Sequence, residues 1–321
     1  MTDFISSLII AAGVTLVLLL IMLNTPLKKA LSDHPNVRSL HERPVPRIGG
    51  LAMMLGIASA WLVVSPHDAI VLAIIAPLIA ISLLDDFNGL SPVWRLIVQV
   101  AVAGLALSVQ GVQPWAIYAG TLLMLVWSAN LFNFMDGSDG LAGGMAVFGF
   151  GAYALAAAFA GHAELAVQTS SIAAAALVFL MFNFFPARVF MGDAGSIPLG
   201  FLACLLGVTG IQHGLWPIWF PFLVFSPFMV DATITLVKRG WRGEKVWQAH
   251  REHYYQRLIL LGHGHRKTAL LEYALMIAAG LSALWGAWQS AMTQALLLGA
   301  WALLYLVLAR AIDRRWRETQ T

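Results

Sequence analysis

Apolar runs long enough to form membrane-crossing helices recur from one end of this chain to the other, centred near residues 14, 57, 76, 103, 124, 150, 174, 204, 227, 279 and 301. A hydrocarbon layer about 30 Å thick takes about 20 helical residues. The pattern therefore predicts an all-α polytopic integral membrane protein with about 11 transmembrane helices. Composition agrees: 60% of the 321 residues are hydrophobic and 11% charged, and the mean hydropathy is +0.78. That is more apolar surface than a soluble domain of this length can bury, so a soluble fold is excluded. The first run, "FISSLIIAAGVTLVLLLIMLN", has neither a basic leader nor a small-residue cleavage site and reads as a retained helix. The single cysteine, Cys204, lies in an apolar run, which excludes a disulfide framework and a thiolate zinc site.

The cations are distributed unevenly between the runs. All 19 lysines and arginines fall in the segments 25–49, 85–95, 183–196 and 238–268 or in the C-terminal tail. With eleven alternating helices these segments share one side, and the positive-inside rule makes that side cytoplasmic. The N-terminus is then periplasmic and the C-terminus cytoplasmic, as expected in a bacterial inner membrane. The other face keeps short connections such as "SPHDA", "QGVQP" and "GHAEL", which read as too small to bind much. No internal repeat, linker or second domain is visible, so residues 1–321 read as one membrane-embedded domain.

Five segments on the basic side carry the polar chemistry: 25–49, 85–95, 133–144, 183–196 and 238–268. Asp85 and Asp86 end an apolar helix, where a charge deeper in the bilayer would cost about 3 kcal/mol. Asp136 and Asp139 sit in "NLFNFMDGSDGLAGG", whose glycines predict a broken helix end with backbone open to a ligand. Asp193 lies in "MGDAGS", where Gly192, Gly195 and Ser196 leave amides free at a helix start, a place that favours phosphate. Carboxylates beside such backbone, without thiolate, suit Mg²⁺ or Mn²⁺ holding a phosphate. Arg43, Arg47, Arg188 and Arg251 would give forked donors to the same phosphates. His250 and His253 admit zinc or a plain interfacial helix as other readings. His41, His263 and His265 read as surface histidines. Asp231, about two turns into the bilayer from Lys238, fits either a functional contact or a structural pairing.

Taken together, "DHPNVRSLHERPVPRIGG", "LLDDFNGLS", "NLFNFMDGSDGLAGG", "FNFFPARVFMGDAGS" and "HREHYYQRL" resemble the polyprenyl-phosphate N-acetylhexosamine-1-phosphate transferases, glycosyltransferase family 4. The likeness spans essentially the whole chain in order. It is similar to the WecA, TagO and WbpL branch rather than to the muramoyl-pentapeptide transferases, whose last motif carries three histidines, and this speaks against a peptide-bearing substrate. The resemblance implies transfer of a sugar-1-phosphate from a UDP-N-acetyl sugar to undecaprenyl phosphate at the cytoplasmic face, with Mg²⁺ and release of UMP. That reaction initiates lipid-linked, O-antigen-like polysaccharide synthesis. The resemblance makes Asp193 a metal ligand, with Asp85 and Asp86 handling the lipid phosphate or the metal. It places Asn133, Asp136 and Asp139 in catalysis and nucleotide contact, and Asn183 near the nucleotide. His250, Arg251 and His253 would meet pyrophosphate and sugar, with Arg47, Arg188 and Ser196 supporting the phosphates. A homodimer is compatible with the family, and no nucleic-acid partner is expected.

Two readings from other classes stay open on the residues alone. A transporter for an anionic metabolite would place polar residues near the midplane and show inverted repeats. A scaffold subunit of a glycan-assembly complex would need no metal and would tolerate Asp193→Ala.

Overall fold

The structure, a computed structural model, describes residues 2–35, 39–41, 43–245, 248 and 250–319. Arg38 and Glu42 of the first basic segment, and Trp247 and Ala249 of the last, lie outside the described residues. The helices in chain order are α1 (Thr2–Leu23), α2 (Leu27–Ala30), α3 (Gly49–Val64), α4 (Ala69–Asn88), α5 (Pro92–Val109), α6 (Trp115–Phe134) and α7 (Leu141–Phe159). They continue with α8 (Ala163–Asn183), α9 (Asp193–Gln212), α10 (Trp219–Val224), α11 (Ser226–Trp241), α12 (Tyr254–Leu258), α13 (Gly264–Gly286) and α14 (Ala291–Glu318). Two short strands, β1 (Ser32–Asp33) and β2 (Val45–Pro46), pair antiparallel.

The chain is an all-α, polytopic membrane protein. Each of the eleven apolar run centres falls inside a helix. Among the described residues nine helical segments are long and apolar enough to cross a membrane. The other two differ from uniform spans. α3 has only 16 residues. The ninth run breaks at Phe225 into α10 and α11, flanked by Pro221 and Pro227, which lack the amide hydrogens a continuous helix requires.

Inside a bilayer, helices gain little from the hydrophobic effect and associate through close contact, so small residues mark the tight interfaces. α7 is rich in glycine and alanine and packs along α8, while α9 packs against α4 and α6. α7, α8 and α9 are mostly buried, whereas α14 lies almost wholly on the outside. Backbone meets backbone where Gly50 of α3 lies on Gly195 of α9: a Cβ on Gly50 would lie 2.3 Å from the Gly195 amide nitrogen. Backbone bonds set this register. Phe190 donates to Pro46 O at 2.9 Å, and Gly49 and Gly50 donate to Phe190 O and Met191 O at 3.0 and 2.8 Å. The hairpin that carries Arg47 is thereby laid across the start of α9.

Candidate active site

One end of the bundle gathers residues from all five polar segments. Asp85 and Asp86 occupy the last turn of α4. Asp85 is held by the Leu90 amide at 2.6 Å and by Arg95 Nη1 at 2.6 Å. The same Arg95 nitrogen lies 3.1 Å from Asp193 Oδ2, at the first residue of α9. Asp193 Oδ1 accepts from Asn133 Nδ2 at 2.8 Å, and Asn133 also donates to Ser196 Oγ at 3.0 Å. Arg47 bridges Asp33 at 2.7 Å and Asp86 at 3.5 Å. Asp136 follows the end of α6 and faces Asp193 and Asp86; its enclosure, and then the charge of Asp193, push its carboxyl well above the usual carboxylate range.

These groups surround a cavity of about 280 Å³, lined among others by Asp33, Arg47, Asn133, Asp136, Asp193 and Gln256. Among the described residues, two guanidinium groups, Arg47 and Arg95, face the five carboxyl groups of Asp33, Asp85, Asp86, Asp136 and Asp193, so acidic groups outnumber cations there. The imbalance is sharpest at Asp86, whose side chain is 2% exposed and whose Oδ2 is buried without a hydrogen-bond partner. Gly192, at φ 72°, closes over that atom, and a Cβ there would sit 3.1 Å from Asp86 Oδ2. An orphaned carboxylate oxygen beside Asp136 and Asp193, with only oxygen donors around it, fits a hard divalent cation such as Mg²⁺ or Mn²⁺.

Other expected residues stand behind the cavity wall. Asp139 accepts from the Ala187 amide at 3.0 Å and approaches His265 Nδ1 at 3.7 Å. Asn183 borders the cavity, but its side chain is spent on backbone, accepting from Gly140 N and donating to Val189 O, both at 2.9 Å. Both residues shape the turn between α6 and α7. Ser196 is buried and donates to Gly192 O at 3.2 Å. Arg188 is exposed, lies over the Phe182 ring and is not among the residues that line the cavity.

The last segment reaches the site through α12. Asp231 of α11 accepts from the Tyr254 and Tyr255 amides at 2.9 and 3.0 Å and pairs with His253 Nδ1 at 3.2 Å. Of the two readings left open for Asp231, the contacts are those of structural pairing: it caps a short helix. His253 is buried between the rings of Phe134 and Tyr255. His250 stacks near it, with ring centroids 4.7 Å apart, and accepts from the Glu252 amide. Burial, then the charges of His253 and Arg239, push the His250 imidazole down to about 4. Arg251 is half-buried beside them.

Several residues of this end were not singled out in the sequence. Arg95 was visible as the sole cation of its loop, but nothing in its spacing says that it reaches both Asp85 and Asp193. Asp33 and Gln256 line the cavity, and so does His41, which was expected at the surface but whose side chain is only 15% exposed. His265, expected at the surface, is mostly enclosed and joins two walls: Nδ1 lies 3.0 Å from Ser138 Oγ and Nε2 lies 3.0 Å from Leu40 O.

The fold and this end define a membrane-embedded protein with a cavity lined by carboxylates and arginine at one end of its helix bundle. Comparison with known proteins agrees. The model of glycosyl transferase family 4 matches residues 69–211. The undecaprenyl-phosphate alpha-N-acetylglucosaminyl 1-phosphate transferase of Yersinia pestis is 30% identical over 319 residues, covering 91% of this chain and 86% of that protein. Its namesake in Escherichia coli strain K12 is 29% identical, covering 90% and 86%. The decaprenyl-phosphate N-acetylglucosaminephosphotransferase of Mycobacterium tuberculosis H37Rv is 29% identical over 290 residues, covering 75% and 72%. This chain belongs to glycosyl transferase family 4.

Proposed function

We propose that this protein transfers N-acetylhexosamine-1-phosphate from a UDP-sugar to undecaprenyl phosphate and releases UMP, at the cytoplasmic face of a bacterial inner membrane. The orphaned Asp86 oxygen among Asp136 and Asp193, facing Arg47 and Arg95, carries the reading: it is a place for a cation and a pyrophosphate together. The relatives' names supply the acceptor class and make UDP-N-acetylglucosamine the first donor to try.

A lipid phosphate monoester has its second pKa near 6 and is mostly ionised at pH 7, so attack needs no strong general base. The harder task is to bring two anions together. In the reaction an oxygen of the lipid phosphate forms a bond to the β-phosphorus of the donor, and the bond from that phosphorus to the bridging oxygen breaks. UMP leaves with the bridging oxygen. Asp86, Asp193 and Asp136 would hold Mg²⁺ or Mn²⁺, which screens the pyrophosphate charge when bound. Arg47 and Arg95 orient phosphoryl oxygens, and fixed donors in a site shielded from water stabilise the charge that develops. Asn133 fixes the direction of Asp193, and the Asp139–Ala187 bond keeps the α6–α7 turn in place.

UMP release from purified protein tests this, using undecaprenyl phosphate, a panel of UDP-N-acetyl sugars, and Mg²⁺ or EDTA. Lipid-dependent, metal-dependent release that disappears in Asp193→Ala is expected. Folded protein that releases no UMP with any donor would overturn the proposal.

A further inference from the structure

The far end of the bundle holds a second polar cluster, assembled from two of the short connections, "SPHDA" and "GHAEL". A single 3₁₀ turn, Pro66–Asp68, joins α3 to α4 and sets His67 and Asp68 beside Glu164 in the first turn of α8. His67 Nε2 lies 2.9 Å from Glu164 Oε1 and 3.9 Å from Asp68 Oδ1. One ligand-capable atom from each of the three lies within 4.8 Å of the other two.

Asp68 makes this more than a surface ion pair. Its side chain is 3% exposed, and Oδ1 accepts from Gln168 Nε2 at 2.6 Å, while Oδ2 is buried with no partner at all. A buried carboxylate that receives one neutral amide is left undercompensated. His67 and Glu164 have side chains 63% and 49% exposed, so an ion can enter from solvent. The donors are one imidazole nitrogen and two carboxylates. Three such ligands with an open fourth position suit a borderline ion such as Zn²⁺ rather than Mg²⁺, which prefers all-oxygen surroundings. Gln168 occupies the place of an outer hydrogen-bond partner that fixes a ligating carboxylate.

We infer that His67, Asp68 and Glu164 form a site for a zinc-like divalent cation at the end of the bundle opposite the carboxylate cavity. Asp68 immediately precedes α4 and Asp86 closes it, which separates the two sites by the length of a 20-residue helix, about 30 Å. The site ties the α3–α4 connection to α8 and does not depend on the proposed reaction.

Zinc binding to the full-length protein in detergent, followed by calorimetry with excess Mg²⁺ present to fill the other cluster, tests the inference. The expected result is one Zn²⁺ per chain, retained in Asp193→Asn and accompanied by a rise in melting temperature. His67→Ala and Glu164→Gln, both at exposed positions, should weaken binding by tenfold or more, and Gln168→Leu by about tenfold as an outer-partner loss. Zinc binding that disappears in Asp193→Asn, or that is unchanged in folded His67→Ala, would overturn it. So would an absence of binding, with the His67–Glu164 contact then being an ion pair only.

Discussion

Arg95 and Asp193 meet at 3.1 Å, and the same guanidinium nitrogen lies 2.6 Å from Asp85. One cation thus links the end of α4 to the start of α9, the two helix ends that would flank a bound pyrophosphate. Arg95→Ala leaves both carboxylates without their counter-charge and removes a phosphate donor, so kcat/KM for UMP release should fall about 100-fold, about 2.7 kcal/mol. Arg95→Lys should recover only part of this, because an ammonium cannot fork between two acceptors. Steady-state kinetics on protein with unchanged melting behaviour checks it, and wild-type rates in Arg95→Ala would remove Arg95 from the site.

Asp86 allows metal binding and folding to be told apart. Its Oδ2 is buried and unpartnered, and its Oδ1 lies 3.5 Å from Arg47 Nη1, the one cation paired with it among the described residues. Asp86→Asn discards a buried charge, so without divalent ions the variant should melt no lower than wild type. It should also lose the bound Mn²⁺ signal in paramagnetic resonance titrations and nearly all UMP release. A variant that binds Mn²⁺ normally would show that the cation lies elsewhere.

The pH behaviour of His250 follows from its surroundings. With the folded value pushed down to about 4 by burial, then by His253 and Arg239, the folded protein holds the neutral imidazole. An unfolded chain takes up the proton near 6.5. The favourable contribution is therefore complete above about pH 6.5 and is lost as pH falls toward 4. His250 should act as a neutral acceptor throughout the range from pH 5 to 8 and add no limb to the activity profile there. Titration of its ring signals by NMR should give a midpoint near 4, and a midpoint near 6.5 would refute this environment.

His265 shows where sequence legibility ended. The helices, their order and the five polar segments were readable because apolar runs and clustered cations are local properties of the chain. Paired acids at helix ends and glycines beside Asp136 and Asp193 were likewise readable as residue types. What "GHGHRKT" could not reveal is that His265 contacts Ser138 and Leu40, 127 and 225 residues earlier. The break at Phe225 was hidden for a related reason: Pro221 and Pro227 lie within a run whose apolar character alone suggests one continuous helix. Arg188 and Arg95 look alike in sequence, and only packing turns one outward over Phe182 and the other inward to Asp193.

The contact to Leu40 O fixes the tautomer of His265. A carbonyl only accepts, so Nε2 carries the hydrogen, and Nδ1 accepts from the Ser138 hydroxyl and, at 3.4 Å, the Asp139 amide. The ring therefore straps the α6–α7 turn to the 39–41 segment, and both Leu40 and Ser138 line the cavity. His265→Ala removes about two net hydrogen bonds, about 2 kcal/mol. That loss should appear chiefly as a KM for the sugar nucleotide raised about 10- to 30-fold, with kcat changed much less, because the strap shapes the cavity without touching the reacting phosphorus. His265→Asn, whose shorter amide cannot span both walls, should resemble the alanine variant, while His265→Gln should recover part of the loss. A kcat effect equal to the KM effect in His265→Ala would contradict a strap and make the ring a participant in the chemistry.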